Sequence, residues 1–307
     1  MFQGKQPRTV VTGGAGFIGS HVVDRMLELG HQVLVIDNLV SGSRSNVQSA
    51  ARLEECDVAD SRMDALLADW HCDVLIHCAA QVSVASSIRD PTLDARSNVV
   101  GTVRTVQAAA AAGCRRFIYV TTAGALYGEP HYLPTDEEHL IEPISPYGLS
   151  KWLGERYLAL LAPASMTRIV LRLANVNGPR QRADGEGGVV SIFADRMRLG
   201  LPVVVYGDGH HTRDFVYVAD VVDAVVAALG APRSATVNIA TERAVPVLEL
   251  FAALSMIAGY STPPTFMAAR PGDIRTSRLA IGKARSELGW SPRTALEAGL
   301  VQTYASL

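Results

Sequence analysis

Thr12-Gly13-Gly14-Ala15-Gly16-Phe17-Ile18-Gly19 decides the fold of this 307-residue chain. An apolar strand pattern at 9–12 runs into it. Helical periodicity follows over 17–29 and closes at Gly30, a residue suited to a C-cap. Gly13 would make the tight turn, Gly16 would let a pyrophosphate approach the backbone, and Gly19 would let the helix pack closely on the sheet. Such a turn opens a helix whose first amides attract phosphate. By itself it is weak evidence. Asp37, at the end of the next strand pattern (32–36), strengthens it. A carboxylate there accepts hydrogen bonds from adenosine ribose hydroxyls and repels a 2′-phosphate, so the expected cofactor is NAD rather than NADP. The competing reading makes Asp37 only a turn residue before Asn38.

Working outward, strand patterns recur at 74–77, 117–121 and 168–173, with helical segments between them such as 98–112 and 146–161. Strands alternating with helices of this length predict an α/β fold, a Rossmann-type doubly wound parallel sheet. After Asn175 the pattern loosens. Residues 178–188 read as a loop, 189–199 as a helix, 203–206 as a short strand, and 220–229, 246–258 and 282–288 as further helices. The expected organisation is a cofactor-binding domain over 1–174, with 204–240 partly returning to it, and a smaller substrate-binding lobe over 175–307.

Hydrophobic residues make up 48% of the chain and charged residues 19%, ordinary values for a soluble globular protein. A net charge of -2 offers no excess of positive charge for a polyanion, which argues against nucleic acid or an anionic membrane as partner. No stretch reaches the ~20 apolar residues of a membrane span. The N-terminus has no signal-peptide pattern, and a cytoplasmic protein is expected. Cys56, Cys72, Cys78 and Cys114 show no CxxC spacing and read as reduced core thiols. His71, His77, His210 and His211 lack ligand spacing with carboxylates, so no metal is expected.

Ser145-Pro146-Tyr147-Gly148-Leu149-Ser150-Lys151 carries the second motif. Tyr147 and Lys151 are four residues apart, one helical turn, and so share a face. A free tyrosine has a pKa of about 10, and bringing it near 7 takes roughly 4 kcal/mol of differential stabilisation of the phenolate. The Lys151 ammonium and a nicotinamide ring are expected to supply this. An isolated pair of this kind is more often a core tyrosine beside a surface lysine. Behind the glycine turn and Asp37, it reads as the acid–base centre of an enzyme that moves hydride with a nicotinamide cofactor.

The chain resembles the extended short-chain dehydrogenase/reductases that act on nucleotide sugars. The resemblance covers nearly its whole length, through TGGAGFIGSH (12–21), IHCAAQ (76–81), NVVGT (98–102), TTAGALYGE (121–129), SPYGLSK (145–151), RLANVNGPRQ (172–181), TRDFVYVADVVDA (212–224) and RPGDIR (270–275). Within that family it is most similar to the UDP-glucose 4-epimerases. The resemblance implies that Phe17 and Ile18 give backbone amides to the pyrophosphate, that Ala79 and Ala80 line the cofactor, and that Asn98 lies near its nicotinamide half. It adds Asn38, Val58, Gln81 and Thr121 to the cofactor set. Asp57 reads equally as a ligand of the adenine amino group or as a surface turn.

For the substrate it implies Asn175 on the diphosphate, Val204 and Tyr206 flanking the uracil, Arg213 and Arg270 on the diphosphate, Asp273 on the uridine ribose, and Val190 in the same pocket. Two arginines converging on a diphosphate can each donate paired charge-assisted bonds. Ser277 falls where relatives that exclude N-acetyl sugars carry a bulky tyrosine. UDP-GlcNAc and UDP-GalNAc then become candidate substrates, although Ser277 reads equally as a turn cap. Relatives dimerise through helices corresponding to 98–112 and 146–161, and Trp152 and Tyr157 suit such a contact or simple packing on the sheet.

Two departures stand out. Where many relatives have a hydroxyl residue to bond the reacting group, this chain has Ala123, leaving Thr122, another side chain or water to act. Val82 stands where some epimerases have lysine. The Asp-Glu pair of the 4,6-dehydratases is replaced by Ala123 and Gly124, which carry no acid–base chemistry. One base, one hydride acceptor and no second carboxylate predict epimerisation at C4 of a UDP-hexose through a transient 4-keto sugar. A ketoreductase, or an epimerase at another carbon, is the alternative. A non-catalytic NAD-sensing protein is more remote, because it would not need the intact pair.

Overall fold

The computed structural model describes residues 6–183, 188–269 and 273–307. Two compact units divide the chain. The first comprises Met1–Thr122, Ser145–Arg172 and Val222–Val237. Its sheet has seven parallel strands in the spatial order Ala235–Ile239, Thr167–Leu173, Arg116–Thr122, Val74–His77, Arg8–Thr12, Gln32–Asp37 and Arg52–Glu55. The chain winds outward from Arg8–Thr12 through Gln32–Asp37 to Arg52–Glu55. It then crosses back to place Val74–His77 on the other side of the first strand, pairing Thr9 with Val74 and Thr12 with His77. This reversal is the topological switch point of a doubly wound sheet, where ligands bind beyond the carboxyl ends of the strands. Thr12, Asp37, His77 and Thr122 all stand at those ends.

Both faces of the central strands are apolar, as parallel strands covered on each side require. Val10, Leu34, Ile36, Leu75, Phe117 and Tyr119 join Leu158 of the helix Pro146–Leu161 in one buried cluster. That helix begins and ends where its sequence punctuates it. The Ser145 hydroxyl accepts from the Gly148 N–H at 3.1 Å and Pro146 occupies the first turn, while Pro163 follows its last residues. The segment expected as one helix over 98–112 opens instead with a π-helical turn, Arg96–Val100, before the α-helix Gly101–Ala111. Two short helices, Val84–Arg89 and Pro91–Ala95, precede it. Asp90 caps the second by accepting from the Leu93 N–H, with Pro91 at its start.

The second unit comprises Ala123–Ile144, Leu173–Val221 and Asn238–Leu307. Residues 123–144, assigned on sequence to the first domain, cluster here because their bonds run to second-unit segments. The Thr135 N–H donates to Arg278 O, the Ala280 N–H to Thr135 O, and Tyr127 Oη to Asn238 Oδ1. Asn175–Asn177 pairs with Phe215–Tyr217 and Val204–Tyr206 with Thr265–Met267, both parallel, while Thr212–Arg213 pairs antiparallel with Val245–Pro246. Val190, Phe193, Val205, Phe215, Leu250 and Leu300 lie in this unit's core. No helix among the described residues is long and apolar enough to cross a membrane.

Candidate active site

Gly13 adopts φ +68°, and a Cβ there would lie 2.6 Å from the Ala79 N. The turn therefore needs glycine both for its left-handed backbone and for its approach to the loop after Val74–His77. A Cβ on Gly19 would come within 2.1 Å of Gly13 O. Gly19 thus lets the helix start lie close against the glycine turn that leaves the first strand. Phe17 and Ile18 open the helix Phe17–Glu28, whose first turn holds no acidic residue and whose cap Gly16 offers no side chain. Those amides, without intrahelical carbonyl partners, suit a phosphate.

Asp37 is buried, with one carboxylate oxygen accepting from the Ala15 N–H at 3.0 Å and the other from the Leu39 N–H at 2.8 Å. It locks the glycine turn to the loop that follows the second strand and keeps lone pairs free for a ribose. Asp57 accepts from Asn38 Nδ2 at 3.1 Å and from the Ala59 N–H at 2.8 Å. Val58 is buried, its Cγ2 beside Gly101. Ala79, Ala80 and Gln81 follow the fourth strand, and Thr121 is buried at the end of the fifth with no hydrogen-bond partner for its hydroxyl. The glycine cradle, the acid-free helix start, the Asp37 carboxylate and the orphaned Thr121 hydroxyl together fit a dinucleotide.

Lys151 is 3% exposed. Its ammonium donates to Val120 O at 3.0 Å and lies 4.4 Å from the centroid of the Tyr119 ring. Burial pulls its pKa down to about 8, against the opposing pull of Cys78, Glu155 and Asp94. Thr122 hydrogen-bonds the half-buried Tyr147 and favours its phenolate. Burial, with the negative charge of Asp94 added, nevertheless pushes Tyr147 up to about 12. The protein's own groups thus hold the phenol above its ordinary range.

Around this pair lies a polar cluster whose members, Asp94 apart, come from the motifs quoted above. Asn98 Nδ2 donates to Gln81 O, Asp94 Oδ1 and Ser150 Oγ at 2.9, 3.0 and 3.2 Å, while Asn98 Oδ1 accepts from the Gln81 N–H at 2.9 Å. His77, fully buried, bonds Thr12 Oγ1 through Nδ1 at 2.7 Å and Thr102 Oγ1 through Nε2 at 3.0 Å. Burial holds it neutral, with a pKa near 3. Cys78 is half-buried, and burial pushes its thiol up to about 12. All four cysteines are free. Among the described residues no group of His, Cys, Asp or Glu could hold a metal ion.

In the second unit, Arg213 is mostly buried and donates to Thr212 O and Ile274 O, both at 2.8 Å, with Asp273 at 3.6 Å. Burial lowers its pKa, opposed by Asp273 and Glu129. Asn175 is exposed, its N–H donating to Asp214 O at 2.9 Å. Val204 and Tyr206 are half-buried on their short strand. Ser277 is buried, and its N–H donates to Thr212 Oγ1 at 3.3 Å. Val190 is 1% exposed and lies within the core of this unit. Ala123 is fully buried and its N–H donates to Leu173 O. Arg270 lies outside the described residues.

A model of the NAD dependent epimerase/dehydratase family matches residues 9–240. With the switch-point sheet, the glycine cradle and the Tyr147–Lys151 helix, the chain belongs to that family. A UDP-glucose 4-epimerase of Mycolicibacterium smegmatis is 42% identical over 305 residues, the match covering 96% of this chain and 97% of that one. A crystal structure of UDP-glucose 4-epimerase from Thermotoga maritima with UDP-glucose matches with TM-score 0.95 and 42% identity, covering 97% of each chain. The Thermus thermophilus UDP-glucose 4-epimerase in complex with NAD matches with TM-score 0.92 and 36% identity, over 97% of this chain and 98% of that one.

Proposed function

We propose that this protein is an NAD-dependent UDP-hexose 4-epimerase that interconverts UDP-glucose and UDP-galactose. The observation that carries the reading is the Thr122–Tyr147–Lys151 group on the same unit as the glycine cradle and Asp37. The full-length likeness to UDP-glucose 4-epimerases supports it. Gly13, Gly16, Phe17, Ile18, Gly19, Asp37, Asn38, Asp57, Val58, Ala79, Ala80, Gln81, Asn98 and Thr121 would hold the cofactor. Bound NAD+ would supply reversible two-electron oxidation at the sugar carbon and a positive charge to the site.

Tyr147 takes the proton from the C4 hydroxyl and later returns it. Thr122, whose hydroxyl already bonds Tyr147, takes the part that Ala123 cannot. Lys151 holds the nicotinamide ribose. Arg213, Arg270, Asp273 and Asn175 fix the diphosphate and uridine while the 4-keto sugar turns over, and Val204 and Tyr206 flank the uracil. The reaction has no net redox change, so the cofactor travels with the protein. Ser277, smaller than the tyrosine of relatives that exclude N-acetyl sugars, would extend the range to UDP-GlcNAc and UDP-GalNAc. Val100, Leu149, Tyr157 and Leu160 are exposed apolar residues on neighbouring helical segments, and a second copy of the chain would cover them as a homodimer.

Incubation with UDP-galactose, without added cofactor, tests the reading. Conversion to UDP-glucose is expected, and Tyr147→Phe should lower turnover at least about a hundredfold, the lower end of general acid–base effects. A protein that retains NAD yet converts no UDP-hexose, or a Tyr147→Phe variant as active as the parent, overturns it.

A further inference from the structure

Asp94 sits in the short helix Pro91–Ala95, a place where a carboxylate ordinarily faces water. Here it is 1% exposed. Its Oδ1 accepts from Gln81 Nε2 at 2.9 Å and from Asn98 Nδ2 at 3.0 Å, and the Ser150 hydroxyl also bonds it. These partners come from three segments. Gln81 belongs to the loop with Ala79 and Ala80, Asn98 to the π-helical turn, and Ser150 to the helix of Tyr147 and Lys151. Asn98 in turn bonds Gln81 O and Ser150 Oγ, closing the cluster. A buried carboxylate persists only where hydrogen bonds and nearby charge offset its lost hydration.

We propose that Asp94 is a positioning residue of this site: a buried carboxylate that ties the Gln81 loop, the Asn98 turn and the Tyr147–Lys151 helix into one hydrogen-bonded cluster and brings a negative charge to the acid–base pair. The inference rests on the function proposed above. The charge acts on both members of the pair. Tyr147 faces Asp94 and the Thr122 hydroxyl, with the buried phenol of Tyr119 nearby. Lys151 faces Cys78 on the strand-end loop, Glu155 on its own helix, Asp94, and His77 on the fourth strand. Of these, Asp94 raises both Tyr147 and Lys151. Removing its charge should therefore favour the phenolate and disfavour the ammonium, moving both titrations the same way.

Asp94→Asn keeps the shape and one accepting oxygen while deleting the charge, and Asp94→Ala deletes both. For Asp94→Asn the acid and alkaline limbs of the epimerase pH profile should both move to lower pH by about one unit, the scale of one charge acting through an effective dielectric of about 20. The ultraviolet phenolate absorbance that disappears in Tyr147→Phe should begin at correspondingly lower pH. For Asp94→Ala, kcat should fall at least about tenfold with KM changed less than about threefold, the pattern of lost positioning rather than lost binding. Limbs and phenolate onset that stay in place in a folded Asp94→Asn protein overturn the proposal, whatever Asp94→Ala does. The absorbance titration needs no turnover, so an inactive parent protein would count against the proposed function while Asp94 remained decidable.

Discussion

The Lys151 ammonium rests 4.4 Å from the centroid of the Tyr119 ring, one residue before the Val120 carbonyl to which it donates at 3.0 Å. One strand, Arg116–Thr122, thus seats the cation twice, by a π-face and by a carbonyl, and ends at the Thr122 hydroxyl that bonds Tyr147. A desolvated cation–π contact contributes about 2 kcal/mol. Replacing Tyr119 by Leu should therefore lower the Lys151 pKa by about 1.5 units and cut epimerase turnover at neutral pH by about fourfold. Tyr119→Phe keeps the π-face and should stay within about threefold of the parent. The pH profiles of the two variants check this, the alkaline limb moving to lower pH in Tyr119→Leu only.

Burying Lys151 has a cost that should be measurable apart from activity. Its pKa is about 8 in the fold against 10.5 when free. Between those values the unfolded chain binds more protons than the native one, so stability rises with pH through that window. Below it the full penalty applies, on the order of 3 kcal/mol for a group this buried. Lys151→Met should therefore unfold at higher urea concentration than the parent at pH 7, by about 1–3 kcal/mol, and the advantage should shrink as pH rises from 8 towards 10.5. Equal unfolding midpoints across that range would refute it.

How much of this was legible follows from the range of the interactions involved. The glycine turn, Asp37 and the helix Pro146–Leu161 are set by local rules, because a left-handed glycine, a strand-end carboxylate and a Ser145–Pro146 start announce themselves within a few residues. The strand Val74–His77 was read to the residue, since a buried parallel strand is an unbroken apolar run. Asp94 was not read at all. Its neighbours Pro91 and Thr92 say only that a helix starts, and its burial comes from Gln81, Asn98 and Ser150, as much as 52 residues apart in the chain from Asn98 to Ser150. The environment of Tyr147 is only partly legible for the same reason. Spacing shows that Lys151 shares its helix face, but not that its ammonium donates to Val120 or that the charge of Asp94 acts on the phenol.

Asp37 closes the cofactor turn even before it meets a ribose, since its two oxygens take the Ala15 and Leu39 N–H groups. Asp37→Ala should leave both amides unpaired and loosen the loop over the glycine turn, in addition to deleting the proposed ribose ligand. The purified variant should carry at most about a tenth of the parent's NAD, as each charge-assisted bond contributes about 1.5–3 kcal/mol. Nucleotide released on denaturation and quantified by chromatography measures it, and a full complement of NAD would remove Asp37 from the site.

Gly154 sets how closely the catalytic helix can approach the strand beneath it. A Cβ at that position would lie 2.4 Å from Tyr119 Oη and 3.0 Å from Cζ, and Tyr119 is fully buried. Gly154→Ala should gain about 1 kcal/mol of helix propensity. Overpacking should cost about 1–3 kcal/mol, and more when a buried ring must move, so the net effect is destabilising. Because Lys151 lies one turn earlier on the same helix, lifting the helix off Tyr119 also lengthens its contacts with Tyr119 and Val120, and turnover should fall with stability. Tyr119→Phe removes the atom that a methyl group at 154 would strike. In the Gly154→Ala background that change should restore at least about 1 kcal/mol of unfolding free energy and part of the activity, a coupling of the size seen between residues in direct contact. A double variant no better than Gly154→Ala alone would show that the helix is held off the strand by something other than the Tyr119 hydroxyl.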